Sequence, residues 1–296
     1  METRDLDYLL SVEKHGGIGK AAVALGISQP ALTKAIQRTE AQVGLSLFER
    51  TANGVVPTQA GVLFIARARK IALEYEDALK EMYAIRSGEQ GVLRIGYSPT
   101  VPNALVLGAC RQLMKERPAA RLRLRRRLAR DLMDLLAAGE LDLVIAPEPQ
   151  EDSGAFSVVG LFRDTLSVLA DEAHPLHRKG NLRLADLVEQ EWLLPGPSIP
   201  LRRQVDAAFR QQGLAEPKLR VETDFGSTSL LHLLRGTMML CIAGTESFDM
   251  LAGLRALNLD SGELDLRRHI GVIFRTEAYL SPLAQRVIEL LQERAR

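Results

Sequence analysis

Residues 28–51, with the sequence SQPALTKAIQRTEAQVGLSLFERT, constrain the fold of this chain more than any other stretch. Ser28 is a good helix N-cap and Pro30 fits a first helical turn, so a helix is predicted to begin here. Apolar side chains recur at helical spacing and predict one buried face, made of Leu32, Ala35, Ile36 and Val43. The opposite side of this helix is polar and carries Gln29, Thr33, Lys34 and Gln37.

Two helices are predicted ahead of this one, and they supply the core that its apolar face needs. The apolar face of the first contains Leu6, Leu9, Leu10 and Val12. The second ends at Gly26 and contributes Ala21, Ala22 and Leu25. Two helices joined by a short glycine-containing turn, the second with an amide- and cation-rich outer face, form a helix-turn-helix. Such a helix fits the major groove of B-DNA. The alternative is a solvated amphipathic helix.

A small wing is predicted after the third helix. Leu47 and Phe48 anchor the chain to the helical core, and Arg50 follows them directly. The stretch TANGVVPT then predicts a turn at Asn53-Gly54 between two short strands. A wing beside a recognition helix reaches the phosphates of the adjacent groove, and Arg50 is suited to bind one of them.

The series AAVALGISQPALTKAIQRTEAQVGLSLFERT, followed by VVPTQAG, resembles the winged N-terminal domain of LysR-type transcriptional regulators. Gly17 departs from the family, which usually has a capping serine there, and Thr39 replaces a usual leucine. Arg38 would either grip the DNA backbone or pair with a nearby carboxylate such as Glu40. The resemblance implies double-stranded DNA as a partner, with a contact set of Ser28, Gln29, Pro30, Thr33, Lys34, Gln37, Arg38 and Arg50.

The chain is expected to have several domains. Residues 1–58 form the winged helix-turn-helix domain, and residues 59–88 form one long linker helix. From residue 91 to residue 296, strands alternate with helices, which predicts an α/β domain with a largely parallel sheet.

The linker helix carries two heptad series that form an apolar seam among charged residues. These series are Ile65, Ala72 and Leu79, and Ala68, Tyr75 and Met82. A seam of this kind needs a partner. The resemblance implies pairing with a second copy, in a homodimer or homotetramer, and a dimer would present two recognition helices to two half-sites. The alternative is packing against the chain's own C-terminal domain.

Two strand-to-helix junctions in the larger domain place hydroxyl groups beside helix N-termini. The first junction holds Ser98, Pro99, Thr100 and Val101 ahead of a helix expected to start at Pro102, and the second holds Ser198 and Ile199 ahead of Pro200. Free backbone N–H groups and the helix dipole favour an anion at such places. A small-molecule effector, an organic acid, is therefore expected between them. The alternative is that both serines only cap their helices.

The stretches DLMDLLAAGELDLVIAP and DEAHPL resemble the two lobes of the LysR effector domain, a fold like that of periplasmic solute-binding proteins. Lobe I is expected at about 91–160 and 267–296 and lobe II at about 161–266, with the chain crossing near residues 147–160 and 266–271. Leu128 or Ala129 stands where the family often has a hydroxyl residue, and Met238 where it has glycine. With Phe225 as a wall, these residues imply a partly hydrophobic ligand.

Residues 117–130, RPAARLRLRRRLAR, form a basic run in a chain whose net charge is only +1. Arg121, Arg123 and Arg125 alternate with leucines, so they share one face of a strand. Three interpretations remain open: a solvated or subunit-facing surface, contact with the DNA backbone, or an arginine such as Arg127 or Arg130 that reaches an acidic ligand in the cleft.

The sequence lacks the motifs of an enzyme, a metal site or a cofactor site, so a ligand-responsive, non-enzymatic regulator is expected. Cys110 and Cys241 lie in apolar runs and suggest an alternative, a thiol-based redox-sensing regulator. A stand-alone solute-binding protein or enzyme is disfavoured by the first sixty or so residues. Because there is neither a signal peptide nor an apolar run long enough to span a bilayer, a cytoplasmic protein with no membrane contact is predicted.

Overall fold

The computed structural model describes residues 2–52, 54–87, 91–149, 154–223, 228–244, 253–260, 262–264 and 266–295. Contacts within the chain separate two compact units, Met1–Gly88 and Glu89–Arg296, which we call the N-terminal and C-terminal units. No helix in the described ranges is both long enough and apolar enough to cross a bilayer.

The N-terminal unit consists of helices and one hairpin. Its elements are α1 (Thr3–His15), α2 (Ile18–Leu25), α3 (Gln29–Val43), β1 (Phe48–Thr51), β2 (Gly54–Pro57) and α4 (Gln59–Ser87). Gly16, Gly26 and Gly44 end the first three helices with φ values of 62°, 67° and 76°. Glycine adopts this left-handed conformation at little cost, so these residues set where the helices stop.

One apolar cluster holds the first three helices, the wing and the start of α4 together. Its buried members are Leu9, Val12, Ala21, Ala22, Leu32, Ile36, Leu47 and Ile65. The predicted inner face of α3 is buried at Leu32, Ala35 and Ile36 and half-buried at Val43. Thr39 is buried as well, and its hydroxyl donates to the Ala35 carbonyl at 3.1 Å, which satisfies the polar group within the helix.

The seam predicted along α4 is divided between two environments. Ile65 and Ala68 are 1% and 2% exposed, because α4 packs along α1 and Ile65 joins the core. An ion pair between Arg69 and Glu13 ties the same two helices together. Tyr75, Leu79 and Met82 are 52%, 40% and 56% exposed. The prediction of one continuous partner-facing seam is therefore wrong for the first turns, which the unit uses for its own core.

The C-terminal unit alternates strands and helices. Its elements are β3 (Val92–Tyr97), α5 (Asn103–Glu116), β4 (Arg121–Arg126), α6 (Ala129–Ala137), β5 (Leu143–Pro147), β6 (Phe156–Asp171), β7 (Glu191–Pro195), α7 (Pro200–Gln211), β8 (Lys218–Thr223), β9 (Leu240–Gly244), β10 (Leu254–Ala256), β11 (Arg267–Arg275) and α8 (Pro282–Ala295). Short 3-10 helices cover Pro175–Arg178, Leu184–Leu187 and Thr228–Leu234.

The described strands of this unit form one mixed sheet, not a largely parallel one. The strand order is β4-β3-β5-β11-β6-β9-β7-β8, and β10 pairs with β6. The strands β4, β3 and β5 run parallel, as do β8, β7 and β9. Between these two groups, β6 and β11 pair antiparallel with their neighbours, because they carry the chain out of one lobe and back again.

The change from lobe I to lobe II lies inside β6. This strand pairs with β11 as far as Thr165 and with β9 from Leu166 onward. The exchange of partners therefore falls a few residues beyond the boundary at residue 160 that the sequence predicts, because one uninterrupted strand serves both lobes. Asp164 of β6 and Arg268 of β11 form an ion pair at this point, with 2.5 Å between Arg268 Nη2 and Asp164 Oδ2.

Each lobe has its own buried core. In lobe I, α5 and α8 pack on the sheet, and the last part of the chain contributes Ile270, Val272, Leu283, Val287 and Leu291. In lobe II the core surrounds Trp192 and Phe209, whose rings meet edge to face with centroids 6.3 Å apart. The two ends of lobe II, at Thr165 and Arg267, are direct partners in the sheet.

Candidate functional site

The outer face of α3 is open to solvent. Gln29, Pro30, Lys34 and Gln37 are exposed, and Thr33 is half-buried. The Thr33 hydroxyl donates to the Gln29 carbonyl at 2.9 Å, so its oxygen still has the capacity to accept a hydrogen bond. The Gln29 side chain lies beside Gly19 of α2, where a Cβ would meet its Oε1 at 3.4 Å. The helix therefore presents polar groups from a face that has no apolar cover.

Polar contacts fix α3 at both ends and along its side. Ser28 is the N-cap, and its hydroxyl accepts from the Ala31 N–H at 3.4 Å. Arg38 Nη2 lies 2.5 Å from Oδ1 of Asp5, a carboxylate that is almost completely buried. The predicted pairing of Arg38 with Glu40 is wrong, because Glu40 Oε1 instead accepts from the backbone N–H groups of Leu47 and Phe48, at 2.7 Å and 3.2 Å.

The wing is a hairpin in which β1 and β2 pair antiparallel. Arg50 is exposed on β1, and Asn53 of the predicted turn lies outside the described residues. The hairpin is fastened to the end of α1, since the Val55 N–H donates to the Gly16 carbonyl at 2.9 Å. Gly54 has φ 130°, and a Cβ there would lie 2.4 Å from the same carbonyl oxygen. Only glycine permits this approach, so Gly54 positions the wing.

In lobe I, the turn after β3 holds a hydroxyl pair. Ser98 is 3% exposed, and its Oγ lies 2.9 Å from Thr100 Oγ1. The Thr100 N–H also donates to Ser98 Oγ, at 3.4 Å. Val101 is buried next to them, and Pro102 is the N-cap of α5, one position before the predicted first turn. The Ser98 hydroxyl therefore does not cap α5.

An arginine that the sequence did not single out lies at this turn. Arg126 Nη2 donates to the Pro99 carbonyl at 3.3 Å, and its guanidinium carbon lies 6.0 Å from the centre of the Tyr97 ring. The parallel pairing of β3 with β4 places Arg126 directly opposite Tyr97. Arg127 and Arg130, the two arginines that the sequence suggested for the cleft, are exposed, and Arg127 donates to the Arg126 carbonyl.

The turn after β4 leads directly into α6. Leu128 is the N-cap of that helix, without a side-chain hydrogen bond, and Ala129 is its first residue. Both side chains are half-buried, and Ala129 packs against the apolar cluster beneath α6. The residues at this position are therefore apolar and partly accessible, as expected from the sequence.

In lobe II, the turn after β7 differs from its counterpart. Ser198 is exposed, and its backbone carbonyl accepts from Arg203 Nη1 at 2.8 Å. Ile199 is the N-cap of α7 and Pro200 occupies the first turn, as predicted. Because neither helix has a serine N-cap, the interpretation that both serines only cap their helices is wrong.

The structure joins some of the predicted effector residues and leaves others apart. Ser98, Thr100 and Pro99 are linked with Arg126, whereas no hydrogen bond between described residues joins this turn to the one at Ser198. Phe225 lies outside the described residues, and the Met238 side chain is exposed. A cavity of about 460 Å³ lies at the start of α5 instead, lined by Pro102, Ala104, Leu105, Phe162, Arg294 and Ala295.

The two cysteines are in separate apolar surroundings. Cys110 is buried on α5 in the lobe I core, and Cys241 is buried on β9 among Leu169, Leu193 and Leu234. Burial raises the pKa of the Cys110 thiol and raises that of the Cys241 thiol further. Both side chains are therefore held as neutral thiols, the less reactive form.

Sequence reasoning missed the residues that hold the site in place. Asp5, Arg126 and Gly54 are examples, and each acts through a partner distant in sequence or through the backbone. Asp5 has a local signal, because its side chain accepts from the Glu2 N–H in the first turn of α1, but this predicts only a helix cap.

Comparison with known proteins agrees with this architecture. Residues 3–62 match the family model "Bacterial regulatory helix-turn-helix protein, lysR family", and residues 86–296 match the model "LysR substrate binding domain". The DNA-binding transcriptional dual regulator OxyR of Escherichia coli K12 is 30% identical over 305 aligned positions, which cover 99% of this chain and 96% of that protein.

Solved structures share the complete fold. Full-length OxyR from Pseudomonas aeruginosa, in a single-residue variant, has a TM-score of 0.69 and 21% identity, covering 100% of this chain and 95% of that chain. CbnR, a LysR-family regulator solved with its target DNA, has a TM-score of 0.60 and 23% identity, covering 100% of both chains. The chain therefore belongs to the LysR family of bacterial transcriptional regulators.

Proposed function

We propose that the chain binds operator DNA through the exposed face of α3 and through the wing. The contact set is Ser28, Gln29, Pro30, Thr33, Lys34, Gln37, Arg38 and Arg50. The observation that carries the proposal is a polar, uncovered helix face on a fully buried core. Glutamine and lysine can pair with base edges in the major groove, and Arg50 is suited to bind phosphate. Arg38 is the weakest member, because Asp5 already holds its guanidinium.

A selected operator provides the test. Wild-type protein first enriches its preferred sites from random duplexes, and variants are then measured on the strongest site. Gln29→Ala should weaken binding by about 1–3 kcal/mol and relax the preference at one base pair. Gln42→Ala is the matched control, since this exposed glutamine lies in the last turn of the same helix. Equal affinity and equal preference in both variants would contradict the proposal.

We propose further that the C-terminal unit senses a small organic acid held between its two lobes. The lobe I part of this site consists of the turn Ser98, Pro99, Thr100 and Val101 with Leu128 and Ala129, and the lobe II part consists of Ser198 and Ile199, with Phe225 expected beside them. Support comes from the buried hydroxyl pair next to the start of α5, because hydroxyls and helix N-terminal N–H groups favour an anion. In this proposal the chain is a regulator and not an enzyme, and it requires no cofactor or metal.

Effector binding is tested in two steps. A thermal-shift screen of organic acids identifies a ligand, and calorimetry then compares Ser98→Ala and Ser198→Ala with wild type. Each lost charge-assisted hydrogen bond should weaken binding by about 1.5–3 kcal/mol, or ~10- to 150-fold. Ser157→Ala, a strand serine of β6, serves as the control. Unchanged affinity in both turn variants would remove these hydroxyls from the site.

We infer that the protein is a homodimer or homotetramer assembled through the outer part of α4. The exposed apolar residues Ile71, Tyr75, Leu79 and Met82 recur at intervals of three or four, so they form one stripe along the helix. Leu79→Glu should place a charge in that stripe and release smaller species, which light scattering would detect. An unaltered mass would exclude the stripe from the interface.

A redox-sensing function is the alternative, and a specific finding favours it, since a relative from Escherichia coli is named a hydrogen peroxide-inducible genes activator. The surroundings of Cys110 and Cys241 oppose it, because both thiols are buried, apart and protonated. Peroxide treatment followed by thiol titration separates the two functions. The effector proposal expects unchanged thiols and unchanged DNA binding, whereas a disulfide between the two cysteines would establish the alternative.

A further inference from the structure

The basic segment 117–130 has no role in the function proposed above. It carries seven arginines and no acidic residue, whereas the net charge of the whole chain is +1. Strand β4 makes up the middle of the segment and lies at one end of the strand order of the described sheet. A large positive charge is thus concentrated at a sheet edge, away from the residues assigned to either ligand.

The strand register determines where these arginines point. In the parallel pair, Arg125 lies opposite Gly96 and Arg123 opposite Arg94. A Cβ at Gly96 would come within 2.7 Å of Leu132 on α6, so this side of the strand faces the α6 layer. Because side chains alternate along a strand, Arg121, Arg123 and Arg125 share that side, and we call them the arginine face.

The arginine face is exposed and only partly neutralised. All three of its members are exposed, and Arg125 Nη1 lies 2.9 Å from Glu140 Oε2. Within the described ranges, no carboxylate forms an ion pair with Arg121, Arg123 or the nearby Arg130. Exposed guanidinium groups without acidic partners are available to an external anion.

The spacing of the arginine face suits a polyanion. Residues two apart on a strand are separated by about 6.6 Å, so the three arginines extend over ~13 Å. One strand of B-DNA presents a phosphate about every 3.4 Å along the axis, which places several phosphates within that length. Guanidinium groups bind phosphate oxygens in a bidentate manner. We propose that the arginine face binds the phosphate backbone of double-stranded DNA, as a contact separate from α3 and the wing.

Protection of the sheet edge and a protein partner each account for less of the pattern. Charges on an edge strand prevent pairing with another sheet, but charges of either sign do so, and in this segment all are positive. A protein partner would require an apolar or aromatic centre, because charged residues are depleted at the core of protein interfaces. The alternating arginines leave no apolar side chain between them on this side, since Leu122 and Leu124 belong to the other side of β4.

The salt dependence of DNA binding tests the proposal on the full-length protein. The probe is a mixed-sequence duplex of about 60 base pairs, and anisotropy gives the binding constant over a series of KCl concentrations. Arg121→Gln combined with Arg123→Gln should lower the slope of log K against log salt by about 2 for each subunit in contact. The loss should be the same on every sequence, whereas Gln29→Ala should alter sequence preference, so the two proposals fail separately.

The control removes the same charge from elsewhere. Arg178→Gln with Arg210→Gln changes two exposed arginines of lobe II and should leave the slope at the wild-type value. Arg121→Lys with Arg123→Lys should also keep the slope, because lysine still neutralises phosphate. If the double glutamine variant does not fold, Arg123→Gln alone should lower the slope by about 1. An unchanged slope, or an equal fall in the lobe II control, would overturn the proposal and leave an acidic protein as the partner of this face.

Discussion

The recognition helix of the N-terminal unit and the Ser98 turn of the C-terminal unit both offer polar groups to a ligand, but their polar groups are treated in opposite ways. On α3 these groups are exposed, and the scaffold beneath them is buried. At Ser98 the hydroxyl itself is buried and already bonded to Thr100. An exposed helix can slide into a groove as it is, whereas the buried hydroxyl must exchange a bond within the protein for one to the ligand.

The two sites also differ in how far their supports lie along the chain. The scaffold of α3 comes almost entirely from residues within about forty positions of it. The Ser98 turn depends on β5, through the Ile145 carbonyl that accepts from the Ser98 N–H at 2.9 Å, and on Arg126 of β4. Damage to the first site should therefore remain local, while damage to the second can come from several elements.

If the two units are held separately, Ile65→Ala should cause the largest loss of stability and should confine it to the N-terminal unit. Truncating a fully buried isoleucine leaves a cavity and costs about 2–5 kcal/mol. Calorimetry should show a lower transition temperature for one unit only. Val23→Ala, at a highly exposed position of α2, should change it little. A simultaneous fall in both transitions would contradict the separation.

The second change tests whether the C-terminal unit behaves as one body. Asp164→Ala removes the partner of Arg268 where β6 passes between the lobes, and it should cost roughly 2–3 kcal/mol because a mostly buried charge loses its counter-charge. Denaturant unfolding should still show a single transition for this unit. Two separate transitions would mean that the lobes unfold independently.

A smaller effect is expected from Arg38→Ala, which asks whether Arg38 supports α3 or contacts DNA. Its ion pair with the buried Asp5 implies support, worth about 1–2 kcal/mol of stability, because the arginine is largely exposed. The salt slope of DNA binding should stay unchanged. A slope lowered by about 1, with unaltered stability, would instead identify a phosphate contact.

The smallest effect concerns acid. Hydrogen bonds from Arg286 and Gln112 lower the pKa of Glu116 from 4.5 to about 2. The folded state therefore favours the ionised carboxylate, and this contribution is present above about pH 4.5 and is lost as the pH falls towards 2. The difference in melting temperature between wild type and Glu116→Gln should shrink across that window. The difference for Glu277→Gln, an exposed control, should stay constant.

The N-terminal unit was more predictable than the rest because its signals are local. Ser28, Pro30 and the terminal glycines fix helix ends by capping chemistry, which depends on neighbours in sequence. The pairing of Arg38 with Asp5, and the burial of Ile65, depend on how helices pack, and helical periodicity does not specify the partner. For the same reason the strand at Phe156–Asp171 was recognised only in part, because its two halves belong to different lobes.

The path of β6 and β11 has a consequence for the order in which the chain can fold during synthesis. The core of lobe I includes Ile270, Val272 and the inner face of α8, which are translated after all of lobe II. Lobe II, by contrast, is complete once the residues before β11 have emerged. The nascent lobe I must therefore wait with its apolar sheet face uncovered, although its first strands leave the ribosome early. A chain that stopped before β11 would retain the full lobe II sequence and still expose the surface that α8 normally covers, which makes it a substrate for chaperones and proteases.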